Sequence, residues 1–178
     1  MTVLAITFSC LSFAAALALL PRHLSLAPVA AFVGLAVIGF ASDSSGYPLL
    51  PVNTTILICW LCMTIVVATA TMLQPVPLRR ASRGMGYIMT GAIAGMAIGL
   101  LGFSFASHVS MLYAIMVVAT AAGTFFGFLI YTNTPQGRPV GIGSGNFFKY
   151  LLAKGFPTAI TVMQLGVVLV LLIAINNI

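Results

Sequence analysis

The sequence predicts an all-α integral membrane protein with six transmembrane helices. Hydrophobic residues make up 61% of the 178 residues, charged residues make up 4%, and long apolar segments alternate with short segments that contain Pro and Gly. A typical soluble domain has about 25% charged residues, so this chain could not cover a surface that faces water. Asp43 is the single acidic residue, which excludes most enzymes that need two carboxylates.

A helix needs about 20 mostly apolar residues to cross a hydrocarbon core of roughly 30 Å. Six such segments use almost the whole chain, so we expect one transmembrane domain over residues 1–178. The segments are residues 2–20, 24–40, 55–73, 86–105, 109–131 and 158–175. Pro and Gly between them are typical of helix ends. The first segment could instead be a signal peptide, but the first basic residue, Arg22, follows the apolar run, which favours a retained helix.

The basic residues predict the orientation. All seven lie in the first, third and fifth loops of the six-helix arrangement, whereas the second and fourth loops have none. They are Arg22, Arg79, Arg80, Arg83, Arg138, Lys149 and Lys154. Because short basic loops stay in the cytoplasm, we expect both termini to face outward, in a bacterial or archaeal cytoplasmic membrane. So few, scattered cations do not indicate a nucleic acid partner.

The segment of residues 146–155 has two interpretations. Four apolar residues recur there at helical spacing: Phe147, Phe148, Leu151 and Leu152. This pattern indicates a short helix lying in the cytoplasmic interface, with Lys149 and Lys154 near the lipid headgroups. The alternative is that these residues are the first turns of a long, kinked sixth helix. The apolar pattern favours neither interpretation over the other.

Small residues recur every four positions in the fourth and fifth segments. They are Gly91, Gly95 and Gly99, then Ala119, Gly123 and Gly127. Such ridges let two helix backbones approach closely inside a bilayer. Because the intervening loop is short, we expect the two helices to pack as an antiparallel hairpin along these ridges. The alternative is that one ridge mediates association between protomers.

The third segment contains a C-x-x-C pair, Cys59 and Cys62, at a spacing that redox proteins use. A membrane thiol oxidase is expected to have a second cysteine pair, and the only other thiol is Cys10. The pair also belongs to a stripe of small or weakly polar residues at helical spacing: Thr55, Cys59, Cys62, Val66 and Thr69. Such a stripe is more typical of a packing seam. We expect no bound metal and no cofactor, because the two histidines lie in loops on opposite sides.

The six segments contain no Asp, Glu, Lys or Arg, which argues against a proton pump with a carboxylate in the membrane. The most polar residues inside a segment are Thr158, Thr161 and Gln164, on one face of the sixth. They could line a route for a small neutral solute, or hold a neighbouring helix through hydrogen bonds.

Two functional hypotheses follow. The first is an oligomeric channel or permease for a small neutral or weakly polar solute, with the third- and sixth-segment stripes lining the path and Asp43, Tyr47 and Asn53 at its outer mouth. The second is a non-catalytic subunit or scaffold of a larger membrane complex. Its glycine ridges would bind partner helices, and Arg79, Arg80, Arg83, Arg138, Lys149 and Lys154 would bind a cytoplasmic partner or anionic lipid. A thiol-redox enzyme that uses Cys59 and Cys62 is a remote third.

Overall fold

The computed structural model describes residues 2–42, 48–50, 52–75, 84–102 and 108–176. These residues form helices and no β-strand. The long helices in the described ranges are α1 (Thr2–Leu19), α2 (Ala27–Phe40), α3 (Thr54–Met72), α4 (Met85–Leu101), α5 (Val109–Thr132) and α6 (Phe147–Ile175). A short 3-10 turn, Arg138–Val140, lies between α5 and α6. The predicted all-α class is therefore confirmed.

Within the described residues, three helices are long and apolar enough to cross a membrane: α3, α5 and α6. The other three, α1, α2 and α4, are apolar but shorter, and α2 has only 14 residues. A helix of that length extends about 21 Å, which is less than the roughly 30 Å of a hydrocarbon core.

The structure decides between the two interpretations of residues 146–155. The sixth helix starts at Phe147 rather than Thr158, so the segment from Phe147 onward forms the first turns of a long α6 and not a separate interfacial helix. The turn Leu151–Gly155 is a π-helical turn, in which the Phe156 amide donates to the Leu151 carbonyl five residues earlier. Pro157 has no amide hydrogen to continue the regular pattern. The wider turn just before Pro157 keeps the helix continuous, whereas the sequence interpretation treated this proline as a helix boundary.

Helix α6 is the central helix of the bundle. In its most apolar 18-residue stretch 61% of the residues are buried, against 33% for α3 and 28% for α5. Its contacts include α2, α3, α4 and α5, while α1 packs mainly on α2. The interior of the bundle is filled by branched apolar side chains of α6, including Val162, Val167 and Val170.

Helices α4 and α5 form the closest pair, and their backbones touch at the glycines. A methyl group added to Gly91 would collide with the carbonyl oxygen of Gly123, and one added to Gly95 would collide with that of Ala119. One added to Gly99 would lie 2.6 Å from the Met116 Cα. The two small-residue ridges therefore face each other within one chain, as predicted for a hairpin.

Candidate functional site

The small-residue stripe of α3 faces away from the other helices. Thr55, Cys59, Cys62 and Thr69 are all exposed, and both cysteines are free thiols. The opposite face of α3 is the buried one and includes Trp60 and Thr64. The stripe therefore does not share a surface with the polar residues of α6, so within one chain the two predicted sets do not line a common path.

The polar residues of α6 lie in the interior. Thr158, Thr161 and Gln164 are each at most 1% exposed. The hydroxyl of Thr158 donates to the Lys154 carbonyl and that of Thr161 to the Pro157 carbonyl, both at 2.7 Å. These two hydroxyls thus donate to carbonyl oxygens of their own helix, four residues earlier, as threonines in helices commonly do.

Gln164 instead links two helices. Its amide nitrogen Nε2 donates to the hydroxyl of Thr64 on α3 at 2.7 Å, and that hydroxyl donates in turn to the Trp60 carbonyl at 2.7 Å. This is the type of interhelical hydrogen bond that the sequence suggested for Gln164. We call Gln164, Thr64 and Trp60 the α3–α6 polar cluster.

The α3–α6 polar cluster contains one buried oxygen, Gln164 Oε1, that has no hydrogen-bond partner among the described residues, whereas the Trp60 indole interacts with the Tyr113 side chain of α5. Leaving a buried donor or acceptor unpaired costs about 1–3 kcal/mol. Gln164 Oε1 is an acceptor, so only a hydrogen-bond donor can pair with it.

An apolar groove of about 410 Å³ leads toward this cluster. It lies between α3 and α5, over one face of α6, and extends from Leu151 and Gly155 in the π-helical turn to Met63 and Met163. Met63 and Met163 are the sequence neighbours of Thr64 and Gln164. The groove therefore ends at the same level of α3 and α6 as the α3–α6 polar cluster, although none of the three cluster side chains is part of its lining.

Lys154, which the sequence suggested in an interfacial helix near the lipid headgroups, is 0% exposed and is packed inside the bundle as part of α6. Its Nζ is 3.2 Å from the Tyr150 hydroxyl and 4.6 Å from the centroid of the Tyr150 ring. The predicted segment 158–175 contains no Asp, Glu, Lys or Arg, but α6 begins earlier and therefore includes Lys154. Tyr150, Lys154 and Thr158 follow one another at intervals of four residues, which is a helical spacing that does not stop at Pro157. This spacing is the sequence signal that could have indicated the longer helix.

Tyr150 belongs to an aromatic cluster at this end of the bundle. Its ring stacks on Phe128, with centroids 5.4 Å apart, and on Tyr131, with centroids 5.8 Å apart. Gly84 begins α4 at the same place, with a φ of 78° that favours glycine. An added Cβ at Gly84 would lie 2.6 Å from the Tyr131 ring and 2.7 Å from the Tyr150 hydroxyl. The start of α4 is thus fixed against the aromatic rings.

The other residues predicted at a functional site lie in different parts of the chain and do not come together. Arg138 and Lys149 are exposed. Asn53 caps α3, because its Oδ1 accepts a hydrogen bond from the Thr55 amide at 3.0 Å. Asp43 and Tyr47, predicted at the outer mouth, and the cytoplasmic Arg79, Arg80 and Arg83 lie outside the described residues.

The described structure and composition define an all-helical protein with apolar helices, three of them of membrane-spanning length. No protein-family model, curated protein or solved structure matches the chain. No described group of three His, Cys, Asp or Glu side chains is placed to hold a metal ion.

Proposed function

We propose that the chain is a membrane transport protein for a small neutral solute, with the solute contacting the α3–α6 polar cluster. The observation that carries this proposal is the buried unpaired acceptor Gln164 Oε1. A purely structural helix contact gains nothing from leaving a buried acceptor unpaired. A solute that carries a hydrogen-bond donor, such as a small amide or polyol, would pair with it.

The proposal requires that all six helices cross the membrane. Helices α2 and α4 are shorter than the usual span but pack along the central α6, which is long enough to cross. Neighbours packed along a spanning helix occupy the same layer of the bilayer. With six spans, all seven Lys and Arg residues fall on one side, which supports a cytoplasmic placement of those loops and outward-facing termini.

The groove between α3 and α5 supports a route to the cluster. It is open to the surroundings of the bundle and apolar along its length, from Gly155 to Met163. Helix α3 contacts α2 and α6 far less extensively than α4 contacts α5. We infer that a small displacement of α3 relative to α5 joins this groove to the cluster.

Flux into vesicles tests the proposal. The purified full chain is reconstituted, and the entry of water, urea and glycerol is followed by light scattering after osmotic shock. We expect faster entry of at least one of them than in empty vesicles, and a severalfold reduction in Gln164→Leu. The matched control is Gln74→Leu, because Gln74 lies just after α3 and, among the described residues, its side chain bonds to the Ala70 carbonyl of that helix and to no other helix.

Two results would contradict the proposal. If the chain conducts none of the three solutes, it does not transport small neutral molecules by itself. If Gln164→Leu conducts as well as Gln74→Leu, the solute does not contact the α3–α6 polar cluster.

A second candidate function is a non-catalytic subunit of a larger membrane complex. The exposed stripe of Thr55, Cys59, Cys62 and Thr69 on α3 favours it, because small side chains let another helix approach closely. Purification in mild detergent followed by mass determination distinguishes the two. A stoichiometric membrane partner together with no flux supports the subunit, whereas flux by the chain alone supports the transporter.

A further inference from the structure

The groove between α3 and α5 has the size and lining of a site for a small uncharged ligand. We call it the α3–α5 groove. Its volume of about 410 Å³ lies within the range of ligand pockets, roughly 300–1,000 Å³. Its lining is almost entirely apolar and includes Val66, Phe125 and Ile160. Among the described residues, no charged side chain lines it, so an ionic group that entered would find no counter-charge there.

One backbone carbonyl of the π-helical turn has no donor within its helix. In an α-helix the Leu152 carbonyl would accept from the Phe156 amide, but that amide donates to the Leu151 carbonyl. In the wider π-helical pattern it would accept from residue 157, and Pro157 has no amide hydrogen. Outside α6, no hydrogen bond from a described residue reaches it. The Leu152 carbonyl oxygen is therefore an unpaired acceptor.

This carbonyl lies along the wall of the α3–α5 groove. A helix carbonyl is directed along the axis toward the residue four positions later, which for Leu152 is Phe156. Leu152 and Phe156 both line the groove, and so does Gly155 between them, which has no side chain. An unpaired carbonyl in apolar surroundings is unfavourable, because no water is present to pair with it. A ligand in the groove that carries a donor would pair with it.

The position of the acceptor favours a ligand with a donor at one end and a hydrocarbon chain behind it. Leu152 lies in the second turn of α6, and Met163 at the far end of the groove lies about 16 Å farther along the helix. Half of a hydrocarbon core is roughly 15 Å. A chain held at Leu152 therefore extends from the membrane interface toward the bilayer centre. Its donor is an uncharged hydroxyl, because the groove offers nothing to neutralise an ammonium or a phosphate.

We propose that the α3–α5 groove binds a long-chain alcohol of the membrane. The hydroxyl donates to the Leu152 carbonyl, and the hydrocarbon chain lies along α6 toward Met163. This inference concerns binding alone and goes beyond the transport proposal, since it holds whether or not the chain conducts a solute. Where both hold, the bound alcohol closes the route to the α3–α6 polar cluster.

Photolabelling tests the binding. The full chain in phosphatidylcholine vesicles is irradiated with decanol that carries a diazirine on its chain, and the labelled residues are identified by mass spectrometry of the peptides. We expect saturable labelling of residues that line the α3–α5 groove. Unlabelled decanol should suppress it about fivefold more effectively than decyl methyl ether, which has the same chain and no donor, as expected for one hydrogen bond.

Two alanines of α5 provide a matched pair for the location. Ala121→Phe fills the α3–α5 groove and is expected to abolish the labelling. Ala122→Phe places the same side chain at the next position, which is also exposed but does not line this groove, and is expected to keep the labelling.

Pro157→Ala tests the carbonyl itself. Alanine supplies the missing amide hydrogen, so the Leu152 carbonyl gains a helical donor, from residue 157 in the π-helical pattern or from Phe156 in a regular α-helix. The preference for decanol over its ether is expected to disappear. Pro28→Ala is the control, because Pro28 lies in the first turn of α2, where an amide has no acceptor within the helix.

The outcomes separate the site from its polar contact. Equal suppression by decanol and decyl methyl ether in the unaltered chain, or equal labelling of Ala121→Phe and Ala122→Phe, would overturn the proposal. A preference for decanol that is the same in Pro157→Ala and Pro28→Ala would overturn the placement of the hydroxyl at Leu152. All of these measurements report binding and not flux, so their failure is distinct from a failure of the transport proposal.

Discussion

At the scale of single residues, the polar side chains in the interior differ in how they use their hydrogen bonds. Thr158 and Thr161 bond to the preceding turn of α6 and need nothing from a neighbour. Gln164 bonds to Thr64 across a helix interface and leaves its Oε1 unpaired. The sequence identified these three residues as one polar face. It could not distinguish their roles, because the side-chain partners come from another helix.

The Gln164–Thr64 hydrogen bond predicts an order of stabilities. Thr64→Val removes the acceptor of the Gln164 amide and leaves that amide fully unpaired, so we expect a loss of about 1–2 kcal/mol in unfolding free energy. Gln164→Leu removes the unpaired Oε1 together with the amide, so its loss should be smaller. Denaturation of each variant in detergent micelles provides the measurement.

Thr69→Val is the control for that comparison. Thr69 is exposed on α3, and within the described part of the chain its hydroxyl bonds to the Ile65 and Val66 carbonyls of its own helix and to no other helix. A Thr64→Val variant no less stable than Thr69→Val would show that the interhelical bond contributes nothing.

At the scale of helices, glycine spacing predicted the α4–α5 contact, because the requirement for small residues is local to each helix. The sequence left the start of α6 open between two interpretations. Pro157 is a strong helix-boundary signal in sequence, and only packing explains why the helix continues: the turns before it bury Phe147, Tyr150 and Lys154 against α4 and α5.

The glycine contact predicts a sharp difference between two equivalent substitutions on α4. In Gly95→Ala the new methyl group collides with the Ala119 carbonyl of α5, so the helices must separate. We expect a loss of about 1–3 kcal/mol in unfolding free energy, typical of overpacking. In Gly86→Ala nothing lies within 4 Å of the added Cβ, and the better helix propensity of Ala should leave stability unchanged or raised. Thermal unfolding of both variants, monitored by circular dichroism, checks this; equal midpoints would contradict it.

At the scale of the whole molecule, the arrangement of six helices predicts which loops are accessible from each side. In a chain with Cys10, Cys59 and Cys62 replaced by Ser, His108→Cys lies at the start of α5 and Gly145→Cys just before α6. We expect a membrane-impermeant maleimide to label His108→Cys in intact cells and Gly145→Cys only after permeabilisation, because the cations lie with Gly145.

Both new positions tolerate a side chain. His108 is exposed, and an added Cβ at Gly145 meets nothing within 4 Å. Labelling of both residues in intact cells would show that the two loops share one side and would refute the six-span topology.

The sequence by itself determined the helical class, the apolar segments and the glycine-paired hairpin, because hydrophobicity and small-residue spacing are properties of one segment at a time. Only the tertiary structure decided that α6 is central, that the stripe of Thr55, Cys59, Cys62 and Thr69 faces outward, and that Lys154 is buried. The reason is physical. In a chain that is apolar on nearly every face, hydrophobicity does not indicate which face is buried, so the choice depends on packing between helices.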